Sequence, residues 1–408
     1  DTSHKCPTYV HKTPPCQGSC PSGEDIRGWL AIVRQMEKPP VDMEWQEYAF
    51  RRSTTANPFP SMMGRVCPAP CQDGCNRNEV DDFVGINSVE QYIGDTALEK
   101  GYAFEPGPST GKKVAVIGGG PAGLSAAYQL RLKGHAVTVY ESLSDLGGMM
   151  RFGIPNYRIP RDKLAGEIKR ILDMGEIDVK LNTRVGTDVS VADVEAGHDA
   201  VLWSIGCWTG RGLPVSGWEN TPNCVSGVAF LQAFNEGRMQ VTASKVVCVG
   251  GGDTSIDVVS VARRLGHIES TNPSERPELV VNDGFVSHDA AVTAARQGAD
   301  VTLTSLFPKV NMTAAEHEVN DALTEGVTIL DEVMPVEVVL GEDGRATALK
   351  IAQCKLEDGR PVPVEGTEQV LEADLIVSAI GQGGDLEGLE DFDNGRGLLN
   401  ADKFYQVP

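Results

Sequence analysis

No stretch of this chain stays apolar long enough to cross a bilayer, and its first residues carry no signal-peptide pattern, so insertion and export have no support and a cytoplasmic protein is the expectation. Basic residues are in deficit: 36 lysines and arginines face 57 aspartates and glutamates, a formal charge of −21. That imbalance argues against nucleic acid or an anionic membrane surface as partner, and reads as a solvated acidic surface or a face for a basic protein. No two cysteines have the C-x2-C spacing of a redox dithiol. No nucleophile or acid–base pair stands out to complete a reaction, which points to a partner subunit. A length of 408 residues exceeds one core and suggests two to four domains.

Glycine is plentiful, with 45 residues, and two glycine-rich turns organise the chain. In KVAVIGGGPAGLSAAYQLRLKGHAVTVYE, a β-branched apolar run from Val114 to Ile117 leads into Gly118-x-Gly120-Pro121-Ala122-Gly123 and then an apolar-periodic stretch through Ala127 and Leu130. That is strand, tight turn, helix. Gly118 permits the turn, Gly120 lets the backbone approach a pyrophosphate, and Gly123 lets the helix lie close to the strand. The amides at the helix start then face the phosphate charge. Glu141 follows a second strand, Ala136 to Tyr140, where a carboxylate accepts from a ribose 2′-hydroxyl. The second turn, KVVCVGGGDTSIDVVSVARRLG, keeps Gly250 and Gly252, opens its helix with Asp253 and Thr254, and has Ser255 in place of the third glycine. Serine is small enough to preserve close packing. One such motif indicates a nucleotide fold; two indicate a flavin exchanging electrons with a nicotinamide.

Ten cysteines are spread unevenly: Cys6, Cys16, Cys20, Cys67, Cys71 and Cys75 are clustered, while Cys207, Cys224, Cys248 and Cys354 are scattered. Clustering favours metal over disulfides. Three-residue gaps separate Cys16 from Cys20, Cys67 from Cys71 and Cys71 from Cys75, and they let thiolates converge from a helical turn or tight loop. Proline after cysteine, as in Cys20-Pro21 and Cys67-Pro68, recurs at iron–sulfur sites. Zinc is the alternative, although structural zinc usually takes four ligands in all. Cys207 and Cys248 lie on apolar strand patterns and read as inert core residues.

In order along the chain, the cysteine-rich head, RVCPAPC, GGGPAGL, GGMMRFGIPNYRIPRDKL and GGGDTSID resemble the small (β) subunit of glutamate synthase and its relatives. Those relatives include the flavin half of dihydropyrimidine dehydrogenase and the large subunit of an electron-bifurcating transhydrogenase. The resemblance covers almost the whole chain and implies an α/β fold with two Rossmann-like dinucleotide-binding domains, of the disulfide-reductase-like flavoprotein type, preceded by an α-helical iron–sulfur domain. It implies a helical domain at 1–111, an FAD domain at 112–211 and 373–408, and an inserted NAD domain at 212–372. Carried over by position, Cys20, Cys67 and Cys71 would hold a [4Fe-4S] cluster with Glu90 of NSVEQYIGD as the non-cysteine ligand and Gln91 as the fallback. Cys16 and Cys75 would belong to a second cluster. The family's opening C-x2-C-x4-C-x3-C is not intact, because Thr8 and His11 occupy its first two cysteine positions, leaving Cys6 and His11 to supply ligands. Gly147 and Gly148 would bring the backbone close to the flavin, and the loop containing Arg158 would cover it. Gly206 and Gly381 end the short strands by which the chain would leave and re-enter the FAD domain.

Relatives that prefer NADPH carry Tyr-Arg-Arg after the second nucleotide strand, where guanidinium groups suit a 2′-phosphate. Ser305, Leu306 and Phe307 stand there instead, so NAD(H) is expected, with Lys309 the one substitute cation. The long connection after the second fingerprint reads as a polar loop followed by a helix at 289–296. Family members continue past Pro408 with a further FAD-binding turn, so a truncated sequence is expected. The expected function is an NAD(H)-dependent flavoprotein subunit passing electrons between NAD(H), FAD and [4Fe-4S] clusters, to or from a catalytic or ferredoxin-like partner. A 2-oxoacid:NAD oxidoreductase complex of the phenylglyoxylate type is one setting, and glutamate synthase the other. A non-catalytic electron-relay or assembly subunit is a reading of another class. A thioredoxin-reductase-like enzyme would need the C-x2-C that is missing.

Overall fold

In the computed structural model, residues 13–80, 83–239, 243–265, 299–358 and 360–407 are described; Cys6, His11 and the helix expected at 289–296 lie outside them. The helices are α1 (Pro15–Ser19), α2 (Ile26–Val33), α3 (Trp45–Ser53), α4 (Pro60–Val66), α5 (Pro70–Asp73), α6 (Ile86–Lys100), α7 (Pro121–Leu132), α8 (Met149–Phe152), α9 (Arg161–Leu172), α10 (Val191–Ala196), α11 (Gly227–Asn235), α12 (Asp253–Leu265) and α13 (Glu316–Thr324). The contacts divide the chain into two units.

The first unit takes in 1–112, 124–137 and 161–177, and is helical. Proline opens α1, α4 and α5, where its fixed φ suits the first turn and its missing N–H has no intrahelical partner. Asp25 caps α2, accepting from the Gly28 amide at 3.1 Å, and its other oxygen holds Arg52 at 2.9 Å. Helices α4 and α6 meet so closely that a Cβ on Gly94 would lie 2.1 Å from the Ser61 nitrogen. Trp29, Ile32, Phe50, Met62 and Ile93 fill the core.

Most of α7 and all of α9 belong to this unit by their contacts. The reason is visible in the packing. Tyr128 of α7 donates to the Thr54 carbonyl at 2.8 Å and tilts against Phe104 with ring centres 4.5 Å apart. On α9, the fully buried Glu167 carboxylate accepts from the Ser61 and Met62 amides at 2.8 and 3.1 Å, satisfying the start of α4. Burial pushes Glu167 up to about 7, although those amides favour its charged form. Arg170, one turn on, lies over the Phe50 ring at 4.8 Å.

The second unit takes in 113–123, 138–160 and 178–408. Its strands are named with those of the first sheet: β1 (Lys113–Ile117), β2 (Ala136–Tyr140), β3 (Ile177–Lys180), β4 (Ala200–Trp203), β5 (Thr209–Gly210), β6 (Cys224–Ser226), β7 (Lys245–Val249), β8 (Asp300–Thr304), β9 (Thr328–Leu330), β10 (Val333–Leu340), β11 (Ala346–Glu357), β12 (Arg360–Pro363), β13 (Gln369–Glu372), β14 (Leu375–Ser378) and β15 (Gln382–Gly383). The first sheet has the order β3-β2-β1-β4, with β1 and β4 parallel from Val114 opposite Ala200 to Ile117 opposite Trp203. The second is parallel throughout with the order β6-β14-β7-β8-β9. Its β9-β8-β7-β14 portion repeats the order of the first sheet. Each fingerprint strand thus stands where the strand order reverses, the crevice in which such sheets bind ligands. An antiparallel sheet, with β10, β12 and β13 all pairing around β11 directly or in sequence, occupies the stretch between β9 and β14.

Strands β5 and β15 pair antiparallel, Gln382 opposite Gly210, so the outgoing and returning crossovers lie side by side. Strand β14 hydrogen-bonds to β6 and β7, which keeps the chain in the second sheet until Ser378. Among the described residues, no helix is long and apolar enough to cross a membrane.

Candidate functional site

The first fingerprint opens on a cavity of about 250 Å³, and Gly118, Gly120, Pro121, Ala122, Glu141, Gly148 and Gly206 are among the residues that line it. A Cβ on Gly148, whose φ is 50°, would stand 2.7 Å from the Gly120 Cα. That wall is therefore bare backbone, which leaves the amides at the start of α7 unscreened by side chains. Gly123 and Gly147 do not line the cavity. Gly123 packs instead: its Cβ would fall 1.9 Å from the Gly118 carbonyl oxygen. The Glu141 carboxylate accepts from the Gly119 amide through one oxygen and the Leu143 amide through the other, both at 2.8 Å. It fixes the fingerprint turn and keeps lone pairs for a ribose hydroxyl. Thr183, Trp208 and an Arg184–Asp385 ion pair complete the wall. The sequence carried no signal for that pair, whose members come from remote segments with no shared motif.

The second fingerprint opens on a larger cavity of about 1020 Å³, lined by Gly250, Gly252, Thr254 and Gly381. A Cβ on Gly250 would lie 2.6 Å from the Ala379 carbonyl, so the backbone alone fits there. Asp253 and Ser255 support the turn without lining the cavity. The Asp253 carboxylate accepts from the Ala315 amide at 3.2 Å, and the buried Ser255 hydroxyl donates to the Gly252 carbonyl at 2.6 Å. Ser305, Leu306 and Phe307 line the cavity, with the Ser305 hydroxyl accepting from the Phe307 amide at 3.2 Å. Among the described residues, neither lysine nor arginine lines it. Lys309 is exposed, with its amide on Asp331 at 2.8 Å. The proline-bearing wall from β10 and β12, with Pro335, Pro361 and Pro363, was not foreseen.

One expectation requires correction. Cys207, read as core, is half-buried and lines the second cavity, because Gly206 turns the backbone at φ 71° and ends the strand alternation before it. Cys248 is fully buried, as expected. Arg158, expected at the flavin, lines neither cavity: its guanidinium is committed to Asp257 and Glu318.

In the helical unit, Cys20 caps the end of α1, Cys67 caps the end of α4, and Cys71 lies buried in α5. Ala69 between the last two adopts a left-handed φ of 56°, a conformation costing a non-glycine residue about 1 kcal/mol, and donates its amide to the Cys67 sulfur at 3.4 Å. Glu90 faces inward from α6 and accepts from the Asn57 amide group at 2.7 Å. Burial pushes the Cys71 thiol up to about 12, and Cys67, Cys20 and Glu90 act on it electrostatically in the same direction. Burial likewise raises Cys67, with Glu90 and Cys20 adding to it, and raises Glu90 well above the usual carboxylate range, with Glu24 adding. Cys16 is raised by burial and by Cys75. Two neighbourhoods result: Cys20, Cys67, Cys71 and Glu90 form one, and Cys16 with Cys75 the other.

This donor chemistry fits an iron–sulfur centre. Thiols and a carboxyl held protonated by burial and mutual repulsion become ligands once cationic iron offsets their charge, with release of protons. Among the described residues, no three candidate ligands stand close enough to share a single ion.

Residues 112–407 match the family described as pyridine nucleotide-disulphide oxidoreductase, and residues 2–102 match dihydropyrimidine dehydrogenase domain II, 4Fe-4S cluster. Over 93% of its length the chain is 34% identical to the NADP(+)-dependent formate dehydrogenase subunit beta of Moorella thermoacetica, covering 52% of it. It is 33% identical to the NADPH-Fe(3+) oxidoreductase subunit beta of Geobacter sulfurreducens, over 96% of this chain and 55% of that one. The chain thus spans about half the length of both. With the glutamate synthase [NADPH] small chain of Mycobacterium tuberculosis, identity is 32%, over 90% of this chain and 72% of the relative. The solved structure of FprA, an oxidoreductase of the same organism, superposes with a TM-score of 0.57 at 18% identity, over 71% of this chain and 75% of that one, a likeness of fold alone.

Proposed function

The chain belongs to the pyridine nucleotide-disulphide oxidoreductase family, in the group of the glutamate synthase small chain with a [4Fe-4S] domain ahead of it, and on that premise we propose that it is the NAD(H)-facing subunit of a larger oxidoreductase. Electrons exchanged with NAD(H) pass by FAD and the clusters to or from a catalytic or ferredoxin-like partner. Relatives that are beta subunits or small chains support a multisubunit setting. A 2-oxoacid:NAD oxidoreductase complex accounts for the absent arginine pair better than glutamate synthase does.

The observation that carries the coenzyme assignment is that, among the described residues, no lysine or arginine joins Ser305, Leu306 and Phe307 in the cavity lining. A 2′-phosphate there would lose its hydration without a guanidinium or ammonium to replace it, in a chain whose net charge is −21. The relatives named above use NADP(H), so coenzyme choice would be set locally at this turn.

FAD, when bound, accepts two electrons as a hydride and gives them up singly. The chain's own contribution is placement. The starts of α7 and α12 present amides to pyrophosphate, Glu141 offers an acceptor to a ribose, and Gly120 with Gly148 keeps side chains out of the way. Cys20, Cys67, Cys71 and Glu90 would hold one cluster. Cys16 and Cys75 would contribute to a second, whose remaining ligands lie outside the described residues.

Anaerobic flavin reduction by NADH and by NADPH tests the assignment. NADH is expected to have a kcat/KM at least about tenfold higher, a difference of ~1.4 kcal/mol that matches the low end of one charged hydrogen bond. A preference for NADPH of that size would overturn the coenzyme assignment.

A further inference from the structure

Arg158 sits in segment 148–160, one end of which, Gly148 and Met149, forms part of the first cavity's wall. Its guanidinium donates to Asp257 of α12 at 2.6 Å and pairs with Glu318 of α13. All three side chains are largely buried: 21% of Arg158, 8% of Asp257 and 16% of Glu318 remain exposed. Asp257 lies one turn along the helix at whose opening Gly252 and Thr254 line the second cavity.

Two further fastenings run beside this one. Asn235 of α11 donates to the Phe152 and Gly153 carbonyls, both at 3.0 Å. Tyr157 packs against the core of the second sheet, with Arg264 of α12 4.5 Å above its ring. Phe152 meets Trp208, a wall residue of the first cavity, edge to face at 6.2 Å. A segment rooted at one cavity is thus tied at three points to the elements that build the other. Arg158 is the charged tie. Burial pushes Asp257 up to about 6 and raises Glu318 even with the guanidinium beside them, so without it two carboxyls would be left buried and unmatched.

We propose that Arg158 is a positioning residue: through Asp257 and Glu318 it holds α12 against segment 148–160, and so sets the rate of electron exchange between the two cofactors rather than the affinity for either. The inference rests on reading the two cavities as FAD and NAD(H) sites. The transfer concerned moves one hydride from NADH to oxidised FAD, takes one proton from water, and leaves NAD+ and FADH2.

The test uses the full chain as unmodified protein and as Arg158→Met, Arg158→Lys, Asp257→Asn and the Arg158→Met/Asp257→Asn pair. Flavin content, the NADH dissociation constant, single-turnover reduction by NADH, reduction by dithionite, and amide hydrogen exchange of residues 148–160 in the apoprotein are measured. Arg158→Met should slow reduction by NADH roughly tenfold or more, as small misplacements of reacting groups do. It should change NADH affinity less than about threefold, a small fraction of one charged contact. Dithionite reduction should be unaffected, and exchange in 148–160 should quicken. Arg158→Lys should recover part of the rate, and the pair should be no slower than Arg158→Met alone. Unchanged reduction by NADH would overturn the proposal. So would a loss confined to flavin content or NADH affinity, which would return Arg158 to a cofactor site. If Arg158→Met does not fold, Arg158→Lys and Asp257→Asn carry the same expectations in reduced size. If neither NADH nor NADPH reduces the unmodified protein, the site reading itself fails; if NADH reduces it and Arg158→Met equally, the clasp alone fails.

Discussion

Gly123→Ala is expected to yield protein that binds almost no flavin. The added Cβ would fall 1.9 Å from the Gly118 carbonyl oxygen, 2.8 Å from the Ser204 hydroxyl and 3.0 Å from a Val116 methyl. The nearest of those neighbours, the Gly118 carbonyl oxygen, is a backbone atom that cannot swing away, so the turn lining the first cavity must shift. Overpacking of this kind costs about 1–3 kcal/mol, and against backbone more. Since ~1.4 kcal/mol is tenfold in affinity, the flavin-to-protein ratio after gel filtration should fall at least roughly tenfold. The second fingerprint supplies the control. Ser255 occupies the equivalent place there, and its hydroxyl bonds the Gly252 carbonyl at 2.6 Å, so Ser255→Gly should lose one hydrogen bond, about 1 kcal/mol, and retain coenzyme binding. Full flavin content in Gly123→Ala would mean that the turn tolerates displacement and does not hold the cofactor as described.

Leu306→Arg combined with Phe307→Arg should shift the coenzyme preference strongly toward NADPH. Both side chains line the second cavity immediately after β8, where the adenosine ribose of a Rossmann domain lies. Phe307 is 50% exposed, so a guanidinium there needs little desolvation. Each charged hydrogen bond contributes about 1.5–3 kcal/mol. Two would shift the ratio of kcat/KM values for NADPH over NADH by at least about a hundredfold, or ~2.8 kcal/mol. The check is steady-state kinetics with both coenzymes on both proteins. An unchanged ratio would place the 2′-position of the coenzyme elsewhere.

Local features were legible in the sequence because their physics is local. A glycine that must meet a carbonyl, an acid after a second strand, and cysteines spaced around a turn each declare themselves within a few residues, whereas Glu90, which acts electrostatically on Cys67 and Cys71, came only from the family resemblance. What a helix packs against sideways was not legible. The start of α7 carried the fingerprint, yet its flank, with Tyr128, belongs to the helical unit. On α9 the polar residues Glu167 and Arg170 are buried, one against amides and the other over an aromatic ring, and nothing in their own sequence neighbourhood announces it. Arg158 was found by its motif, but its pairing with Asp257 and Glu318 was not legible, because a motif names a residue without saying what its side chain meets. The Arg184–Asp385 pair could not be found at all from its sequence neighbourhoods.

The central claim is that electrons move between NAD(H), flavin and iron–sulfur clusters within this one chain. It is tested most directly by anaerobic titration of the cofactor-replete protein with NADH, followed by flavin absorbance and by electron paramagnetic resonance of the same sample. The account predicts that the flavin band bleaches and that the signal of a reduced [4Fe-4S] cluster grows in with it. A bleached flavin beside clusters that are present by iron and sulfide analysis, reducible by dithionite, and silent toward NADH would contradict it.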